Sequence, residues 1–587
     1  SMHKSQGFGS SGQRGETLNY FVHIAGDSAK NDLFDGIDLN WSRVVCGDKI
    51  GAILTRAYQN FKPENPSAVL PLLIDAYTAM EKIQDEFWIH IKRQELQTVI
   101  LSCLGLWTEA IASEYFLPPG DSVKISSTII NRSQFPLTLK KLNYQFVNKD
   151  TTLLMDLHQG KPLRIENSIT LPANLNISQP YWLWESIPSG KDNPGKGAFR
   201  VDDQSFIGMP ENYQPSVTFN VEVAGTDLAF STPILYRWTD RVDGELYRRF
   251  EITPPVTIQL DEKVYVFPEN RSRKVAISLQ NRTGQIAGTL KLKLSDGWRA
   301  NPELIPFALE RKDEEINVST IITPPEHQTE SQLIAEIETK MGTFSHGIIS
   351  VRYPHIPIQT IFPPSQAKLL RLSISKTEKN IGYIMGSGDE IPIYLAQLGY
   401  RVTILTDEKI DESNLTDYDA IITGVRAYNT RPRLKHQQKK LLEYVKTGGT
   451  LIVQYNVTRE LVTEQLGPYP FKISNDRVSD ENAPMTFLLA DHPLLHSPNR
   501  ITQDDFSGWV QERGLYFANE WDSTYQTILE CHDSNEPPRK GGLLFATFGK
   551  GIYIYSGYSF FRQLPAGIPG AYKLFVNMIE CRVNKLQ

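Results

Sequence analysis

The spacing of the apolar residues changes three times along this 587-residue chain, and each change predicts a different kind of structure. A polar, Gly/Ser-rich start gives way near residue 48 to apolar residues at helical spacing, which predict about three amphipathic helices. From residue 121 apolar and polar residues alternate, as in half-buried β-strands. After residue 366 short apolar runs are separated by helical stretches, which is typical of a parallel sheet covered on both faces.

The alternating region divides at Pro254-Pro255, and each half carries short strands at regular spacing with turn residues between them. Because the chain is too long for one hydrophobic core, we expect several domains. The predicted fold is a multidomain chain with an α-helical segment, two antiparallel β-sandwiches and a flavodoxin-like doubly wound α/β domain. The predicted segments are a polar start at 1–40, a helical domain at 41–117, a first sandwich at 118–250, a second sandwich at 251–362 and the α/β domain at 366–587.

The composition argues against several classes of partner and site. A net charge of -6 gives no basic surface for nucleic acid or for an anionic membrane. No apolar run reaches the roughly 18 residues of a membrane span, so none is expected. The four cysteines form no CxxC pair, which argues against a zinc ribbon, a redox motif or a disulfide framework.

The motifs for phosphate and metal binding also give no site. Gly7, Gly9 and Gly12 match GxGxxG, but no strand precedes them to place their amides beside a pyrophosphate. Neither a P-loop nor HExxH occurs, and the 11 histidines are dispersed. The sequence therefore predicts no catalytic residue and no metal ligand in this chain.

Polar residues follow several predicted strands of the α/β domain, at the edge where open parallel sheets bind ligands. The segment 386–389 follows the first strand, Arg426 and Tyr428 follow the third, and Asn456 follows the fourth. We expect these three side chains, together with His492, to line a binding crevice. The alternative for Arg426 and Asn456 is that they only satisfy the backbone of their loops.

The densest aromatic cluster of the sequence contains Trp182 and Trp184. On a strand, these two rings would lie on one face, because side chains two residues apart point the same way. Such a face suits stacking against a sugar. A sandwich core or a domain interface is the favoured interpretation, and the stacking face stays open as the alternative.

The α/β domain resembles the class I glutamine amidotransferase superfamily, and within it the ThuA-like branch. The resemblance is carried by DYDAIITG at 417–424, YVKTGGTLIV at 444–453, Asp491-His492-Pro493 and GKGIYIYSGY at 549–558. Catalytic members carry a cysteine on the turn after the second of these segments, and ThuA-like members carry a histidine nearby. Here Tyr455 and Asn456 take that place, so no thiol catalysis is expected.

The start of the chain resembles another family. His3, Ser5 and Gln6 match the H-x-S-Q near the end of the PIG-L/LmbE deacetylase domain, and the order of the later segments matches long bacterial members. The phrase around Trp298 resembles sandwich modules attached to carbohydrate-active enzymes. The resemblance implies that residues 1–40 hold the end of a deacetylase-like domain and an extended linker. It also implies zinc in an upstream deacetylase domain and no cofactor in this chain.

The resemblance implies a function for the whole chain. We expect a non-catalytic C-terminal accessory region of a PIG-L/LmbE-like zinc-dependent carbohydrate de-N-acetylase, which organises the enzyme or binds a glycan or amino-sugar ligand. The expected partner in cis is the upstream deacetylase domain. The expected source is bacterial, with the periplasm or the exterior as candidate compartments. The alternatives are a ThuA-like enzyme or receptor for sugar derivatives, and a structural, partner-binding scaffold.

Overall fold

The computed structural model describes residues 14–26, 28–147, 149–183, 201, 204, 207, 215–295, 297–412 and 414–582. This described part is rich in β-sheet and contains several separate hydrophobic cores. The prediction of a multidomain, sheet-rich chain is therefore confirmed. Among the helices of these residues, none has both the length and the apolar character needed to cross a membrane.

Three helices open the folded part of the chain. They are α1 (Gly47–Gln59), α2 (Leu70–Ala79) and α3 (Glu86–Leu104). The carboxylate of Asp85 caps α3 by accepting a hydrogen bond from the amide of Trp88 at 3.0 Å. Gly105 ends the helix in the left-handed conformation, with φ 56°. Apolar side chains of α1 to α3 share one core with the sheet that follows.

The helical domain predicted for 41–117 is too long. Residues after Gly105 form strand β1 (Trp107–Ala112) and strand β2 (Phe116–Leu117). The remaining strands of this region are β3 (Ser122–Ile130), β4 (Leu137–Tyr144), β5 (Lys149–Asp156), β6 (Pro162–Thr170), β7 (Ser216–Val223), β8 (Thr226–Asp240), β9 (Gly244–Arg249) and β10 (Glu251–Ile252).

One continuous sheet surrounds the first core, in the order β5-β4-β7-β8-β1-β3-β6, with β9 also paired to β8. The long strand β8 pairs with β7 through residues 226–233 and with β1 through residues 234–236, so it belongs to both halves of the sheet. The β1–β8 pair is parallel, which corrects the prediction of purely antiparallel pairing. The hydroxyls of Ser127 and Tyr144 lie 3.1 Å apart in the core and join β3 to β4.

The second strand-rich region has two sheets over a single core, together with a separate two-stranded sheet formed by Ile349–Val351 and Gln359–Ile361. Its strands are β11 (Val256–Leu260), β12 (Val264–Phe267), β13 (Arg273–Asn281), β14 (Ile286–Lys293), β15 (Arg299–Asn301), β16 (Leu304–Leu309), β17 (Glu315–Thr323), β18 (Thr329–Thr339), β19 (Gly342–Phe344), β20 (Ile349–Val351), β21 (Gln359–Ile361) and β22 (Gln366–Arg371). The orders are β11-β13-β17-β15 and β12-β22-β18-β14-β16. Trp298 lies in this core, with its ring edge-on to Phe267.

The α/β domain starts later than residue 366, because β22 is a strand of the preceding sheet. Its elements are β23 (Asn380–Ile384), α4 (Ile391–Gln397), β24 (Arg401–Ile404), α5 (Asp407–Glu412), β25 (Ala420–Thr423), α6 (Ala427–Thr430), α7 (Leu434–Thr447), β26 (Thr450–Gln454), β27 (Phe471–Ile473), β28 (Thr486–Phe487), α8 (Pro493–His496), β29 (Ala518–Trp521), β30 (Gln526–Thr527), β31 (Leu529–Glu530), β32 (Leu543–Phe548), β33 (Gly551–Ser556), α9 (Phe560–Gln563) and α10 (Pro569–Glu580).

The main sheet of this domain has the order β24-β23-β25-β26-β33-β32-β30. The first five strands in that order are parallel, and β32 and β30 continue the sheet antiparallel. Separate apolar cores lie on the two faces of the sheet. The carboxyl ends of β23, β25, β26 and β33 therefore meet at one edge.

Candidate functional site

The loops at the carboxyl edge of the sheet are locked against one another. The carboxylate of Asp389 accepts hydrogen bonds from the Tyr383 hydroxyl at 2.6 Å and from the Val425 amide at 3.1 Å. Gly386 is needed here, because a Cβ on it would lie 2.0 Å from the carbonyl oxygen of Val425. The loops after β23 and β25 therefore form one rigid support.

Tyr428 and Asn456 hold the loops together from below. Both side chains are fully buried. The Asn456 Oδ1 accepts from the Tyr428 amide at 2.9 Å, and its Nδ2 donates to the Gln454 carbonyl at 2.9 Å. The Tyr428 hydroxyl donates to the Gln438 Oε1 at 2.5 Å. These contacts correct the prediction that Tyr428 and Asn456 line a crevice, because neither side chain presents surface to a ligand.

Arg426 remains a candidate for ligand contact. Its backbone adopts a left-handed conformation, with φ 58°, and its amide donates to the carbonyl of Tyr455 at 2.9 Å. The side chain is half-buried, and its Nε has no hydrogen-bond partner among the described residues. Burial raises the pKa of Tyr455, and the nearby guanidinium of Arg426 opposes that rise. The guanidinium and the phenol ring are therefore neighbours.

Two aromatic rings from distant parts of the chain contact Tyr455. The ring of Tyr516 is stacked on it, with centroids 5.8 Å apart and planes at 6°. Phe561 lies on Tyr455 with a centroid distance of 5.2 Å, and Arg562 covers Phe561 at 4.8 Å. We call Arg426, Tyr455, Tyr516, Phe561 and Arg562 the strand-end cluster. The sequence analysis missed Tyr516, Phe561 and Arg562, because they reach the edge on loops far away in the chain.

The strand-end cluster is held in place by polar contacts beneath it. The Tyr555 hydroxyl donates to the carbonyl of Tyr516 at 2.6 Å. The Nε of Arg562 donates to Glu512 at 2.6 Å, and the carboxylate of Glu512 is mostly buried. Tyr516 has φ 54°, which turns its loop over Tyr455. The cluster thus combines fixed aromatic rings with two guanidinium groups, a set suited to binding a polar ring-shaped molecule.

His492 does not belong to the strand-end cluster. Its Nε2 bonds Gln526 of β30 at 3.0 Å, and its Nδ1 accepts from the Leu494 amide at 3.2 Å and so caps α8. Strands β33 and β32 separate β30 from β26, which places this histidine roughly 14 Å from the Asn456 loop at the usual strand spacing. Burial lowers the pKa of His492 to about 4. The prediction that His492 lines the crevice is therefore corrected, because His492 instead caps α8.

Of the two tryptophans that the sequence analysis singled out, the structure describes only Trp182. Trp182 lies in a short 3-10 helix, Tyr181–Leu183, so the argument that applies to a strand does not apply to it. The ring is half-buried and meets Tyr181 edge-on at 5.1 Å. Trp184 lies outside the described residues.

The buried thiol of Cys531 is unsuited to nucleophilic catalysis. It lies 3.8 Å from the Tyr558 hydroxyl, and burial raises its pKa to about 12. Cys581 is also buried, at the end of α10. Within the described ranges, no group of three His, Cys, Asp or Glu side chains has the geometry of a metal site.

Comparisons with known proteins do not identify a family. No family model and no curated protein matches the sequence. Solved structures that match include the native Escherichia coli alpha-2-macroglobulin, with TM-score 0.16, 8% identity and coverage of 45% of this chain and 16% of that chain. Salmonella alpha-2-macroglobulin reacted with methylamine has TM-score 0.17, 10% identity and coverage of 45% and 16%. Red sea bream transglutaminase has TM-score 0.20, 10% identity and coverage of 46% and 33%. The chain thus spans a small part of each, and TM-scores this low support no argument about function.

Proposed function

We propose that this chain is a non-catalytic accessory region of a PIG-L/LmbE-like zinc-dependent carbohydrate de-N-acetylase, and that it binds the glycan at the strand-end cluster. The observation that carries the proposal is the stacked pair Tyr455 and Tyr516, flanked by Arg426 and Arg562. Flat aromatic faces accept the apolar face of a pyranose ring, and guanidinium groups donate to its hydroxyl and amide oxygens.

The strand order supports an amidotransferase-like domain of the flavodoxin-like, doubly wound type. Numbered along the chain, the parallel strands run second, first, third, fourth and fifth, and ligands of such sheets bind at the carboxyl edge. Strand β26 ends at Gln454, and the turn that follows carries Tyr455 and Asn456. This turn holds no cysteine, which supports a binding role over thiol chemistry.

Buried hydrogen bonds between the first and second strand-rich regions support the proposal that this chain organises the enzyme. The side-chain amide of Gln179 exchanges two hydrogen bonds with the backbone of Phe362, at 2.8 and 3.1 Å. Arg248 pairs with Glu251 at 3.1 Å and also donates to Thr360 at 3.3 Å. Since these groups are desolvated, they join the first strand-rich region to the second with a defined geometry.

Titration calorimetry with chitooligosaccharides tests glycan binding by the full chain. Replacing Tyr516 with alanine removes the half-buried ring of the stack, and we expect about tenfold weaker binding. The control is Tyr353→Ala, which removes an exposed tyrosine of the second strand-rich region. Equal affinities of both variants and the parent chain contradict the proposed site.

The accessory role has its own test. Zinc and N-acetylated chitooligosaccharides are incubated with the chain, and released acetate is measured. We expect no acetate. Zinc-dependent release of acetate by this chain alone contradicts the proposal that it is non-catalytic.

We also propose a second candidate, a ThuA-like receptor or enzyme for anionic sugar derivatives. It is favoured by the guanidinium groups of Arg426 and Arg562, both of which lie near enough to Tyr455 to oppose the rise of its pKa on burial. Glucuronate then binds more tightly than glucose, and Arg426→Gln removes that difference. Glucose and glucuronate binding equally well argues against this candidate.

A further inference from the structure

The helical segment encloses a cavity that is remote from the strand-end cluster. Its volume is about 530 Å³, within the usual range for small-molecule sites. The cavity lies between residues 39–44 and helices α1, α2 and α3. Its walls are mostly aliphatic, and the deepest side chains are Ala57, Val69, Leu73, Met80 and Leu96. We call it the helical cavity.

One side of the helical cavity carries positive charge. The guanidinium carbon of Arg43 lies 5.2 Å from the ring centroid of Trp88, and the ammonium of Lys92 lies 5.8 Å from it. Lys92 also pairs with Glu95 at 2.8 Å. Glu95 also lines the cavity, and Arg43 lies near enough to Asp38 to help lower the pKa of that carboxyl. In the part of the chain that the structure describes, however, no carboxylate lies within ion-pair distance of Arg43, so its guanidinium can pair with an anion.

Apolar side chains at the opening are left in water. Tyr58 is 85% exposed, and Phe61 and Val99 are each 46% exposed. An occupant that covers them gains the free energy of removing apolar surface from water. A sugar would leave its hydroxyls unsatisfied against the aliphatic walls. The walls and the rim together fit a molecule with a long apolar part and an anionic end.

We propose that the helical cavity binds an amphiphile with one hydrocarbon chain and an anionic head group. The hydrocarbon chain lies between α1, α2 and α3, and the head group lies on Arg43 and Lys92 beside Trp88. This inference does not depend on the proposed function of the strand-end cluster.

The reactivity of the Cys103 thiol reports ligand binding to the helical cavity in the unmodified chain. This half-buried thiol lines the helical cavity, whereas Cys46 is exposed and lies outside it. Burial raises the pKa of Cys103, so its thiol reacts slowly with a maleimide, and an occupant of the cavity that covers the thiol slows the reaction further. We expect dodecanoate, below its critical micelle concentration, to slow alkylation of Cys103 by at least tenfold and to leave Cys46 unchanged. Equal rates at Cys103 with and without dodecanoate overturn the proposal.

Calorimetry separates the roles of the chain and the head group. We expect one dodecanoate per chain, with binding about fourfold weaker for each methylene removed from the fatty acid. Dodecanol and dodecyltrimethylammonium should each bind at least tenfold more weakly than dodecanoate. Equal binding of dodecanol and dodecanoate overturns the assignment of the anionic head.

Two variants locate the site. Arg43→Ala should weaken dodecanoate binding about tenfold and leave dodecanol binding unchanged. The matched control is Arg56→Ala, which removes an exposed arginine of α1 that does not line the cavity. Equal losses in the two variants overturn the proposal. So does a dimer that protects Cys103 without dodecanoate, since a second copy would then be the occupant.

Discussion

His492 is a neutral histidine held in a buried, hydrogen-bonded site. The Leu494 amide donates to its Nδ1, so the ring proton is on Nε2, which donates to Gln526. A second proton would break the cap of α8 and charge a ring that is 7% exposed. This explains in structural terms why its pKa lies below that of an ordinary histidine.

The stability of the α/β domain should therefore fall in mild acid. The pKa of His492 is about 4 in the folded state and about 6.5 in the unfolded state, so protons bind preferentially to the unfolded chain between these values. The contribution of the neutral ring is complete above pH 6.5 and is lost as the pH falls towards 4, by as much as about 3 kcal/mol. Asparagine at this position keeps a cap but cannot titrate.

Hydrogen–deuterium exchange of the peptide around α8 measures this effect. We expect its protection to fall between pH 7 and pH 4.5 in the parent chain and to change less in His492→Asn. The control is His436→Asn, which alters an exposed histidine on α7. The same pH dependence in all three chains would refute the assignment.

Gly386 should tolerate no side chain. A Cβ there would lie 2.0 Å from the Val425 carbonyl oxygen, whereas a Cβ on Gly284 would meet nothing within 4 Å. We expect Gly386→Ala to lower the free energy of unfolding by about 1–3 kcal/mol and Gly284→Ala by less than about 0.5 kcal/mol. Urea denaturation checks both values. Similar losses at the two positions would show that the loops move apart easily.

At the scale of single helices and strands, the sequence predicts those elements whose apolar spacing and end residues lie close together in the chain. The three helices follow from apolar spacing, and the structure adds the carboxylate cap of Asp85 at the start of the third. Strand β1 was predicted as helix, because it is short and continues the apolar pattern of α3 past Gly105. Its strand conformation depends on β3 and β8, whose positions are set by the tertiary fold.

The cap of α3 should contribute measurably to its stability. Asp85→Ala removes the acceptor of the Trp88 amide, so we expect a loss of about 1 kcal/mol. Asp85→Asn keeps an acceptor and should lose less. Amide exchange at the first turn of α3 reports the change. No difference between the alanine and asparagine variants would mean that water replaces the cap fully.

At the scale of the whole molecule, the strand-end cluster is formed by residues that lie far apart in the sequence. Tyr455 and Tyr516 meet only because β26 and β33 are neighbours in the sheet and Tyr555 holds the Tyr516 loop. The sequence indicates which strand ends to inspect, and Arg426 lies at that edge. It does not indicate which remote loops cover them, because no local pattern records loop-to-loop contact.

Arg248 is paired with Glu251 inside the first strand-rich region and should couple that region to the second through its hydrogen bond to Thr360. Arg248→Ala leaves the Glu251 carboxylate buried and unpaired, so we expect a loss of about 3 kcal/mol and separate unfolding of the two regions. The double variant Arg248→Ala/Glu251→Ala removes the stranded charge and should recover part of that loss. Calorimetric scans check both results. A single transition in Arg248→Ala would contradict the coupling.

Strand β22 lies between β12 and β18, although its sequence neighbours lead into the α/β domain. A chain cut before residue 366 would lose this strand and leave two unpaired strand edges in the middle of a sheet. Such edges invite intermolecular pairing, so the truncated protein would aggregate. The α/β domain can be excised only after Arg371, and a fragment designed from the apparent start of that domain would damage its neighbour.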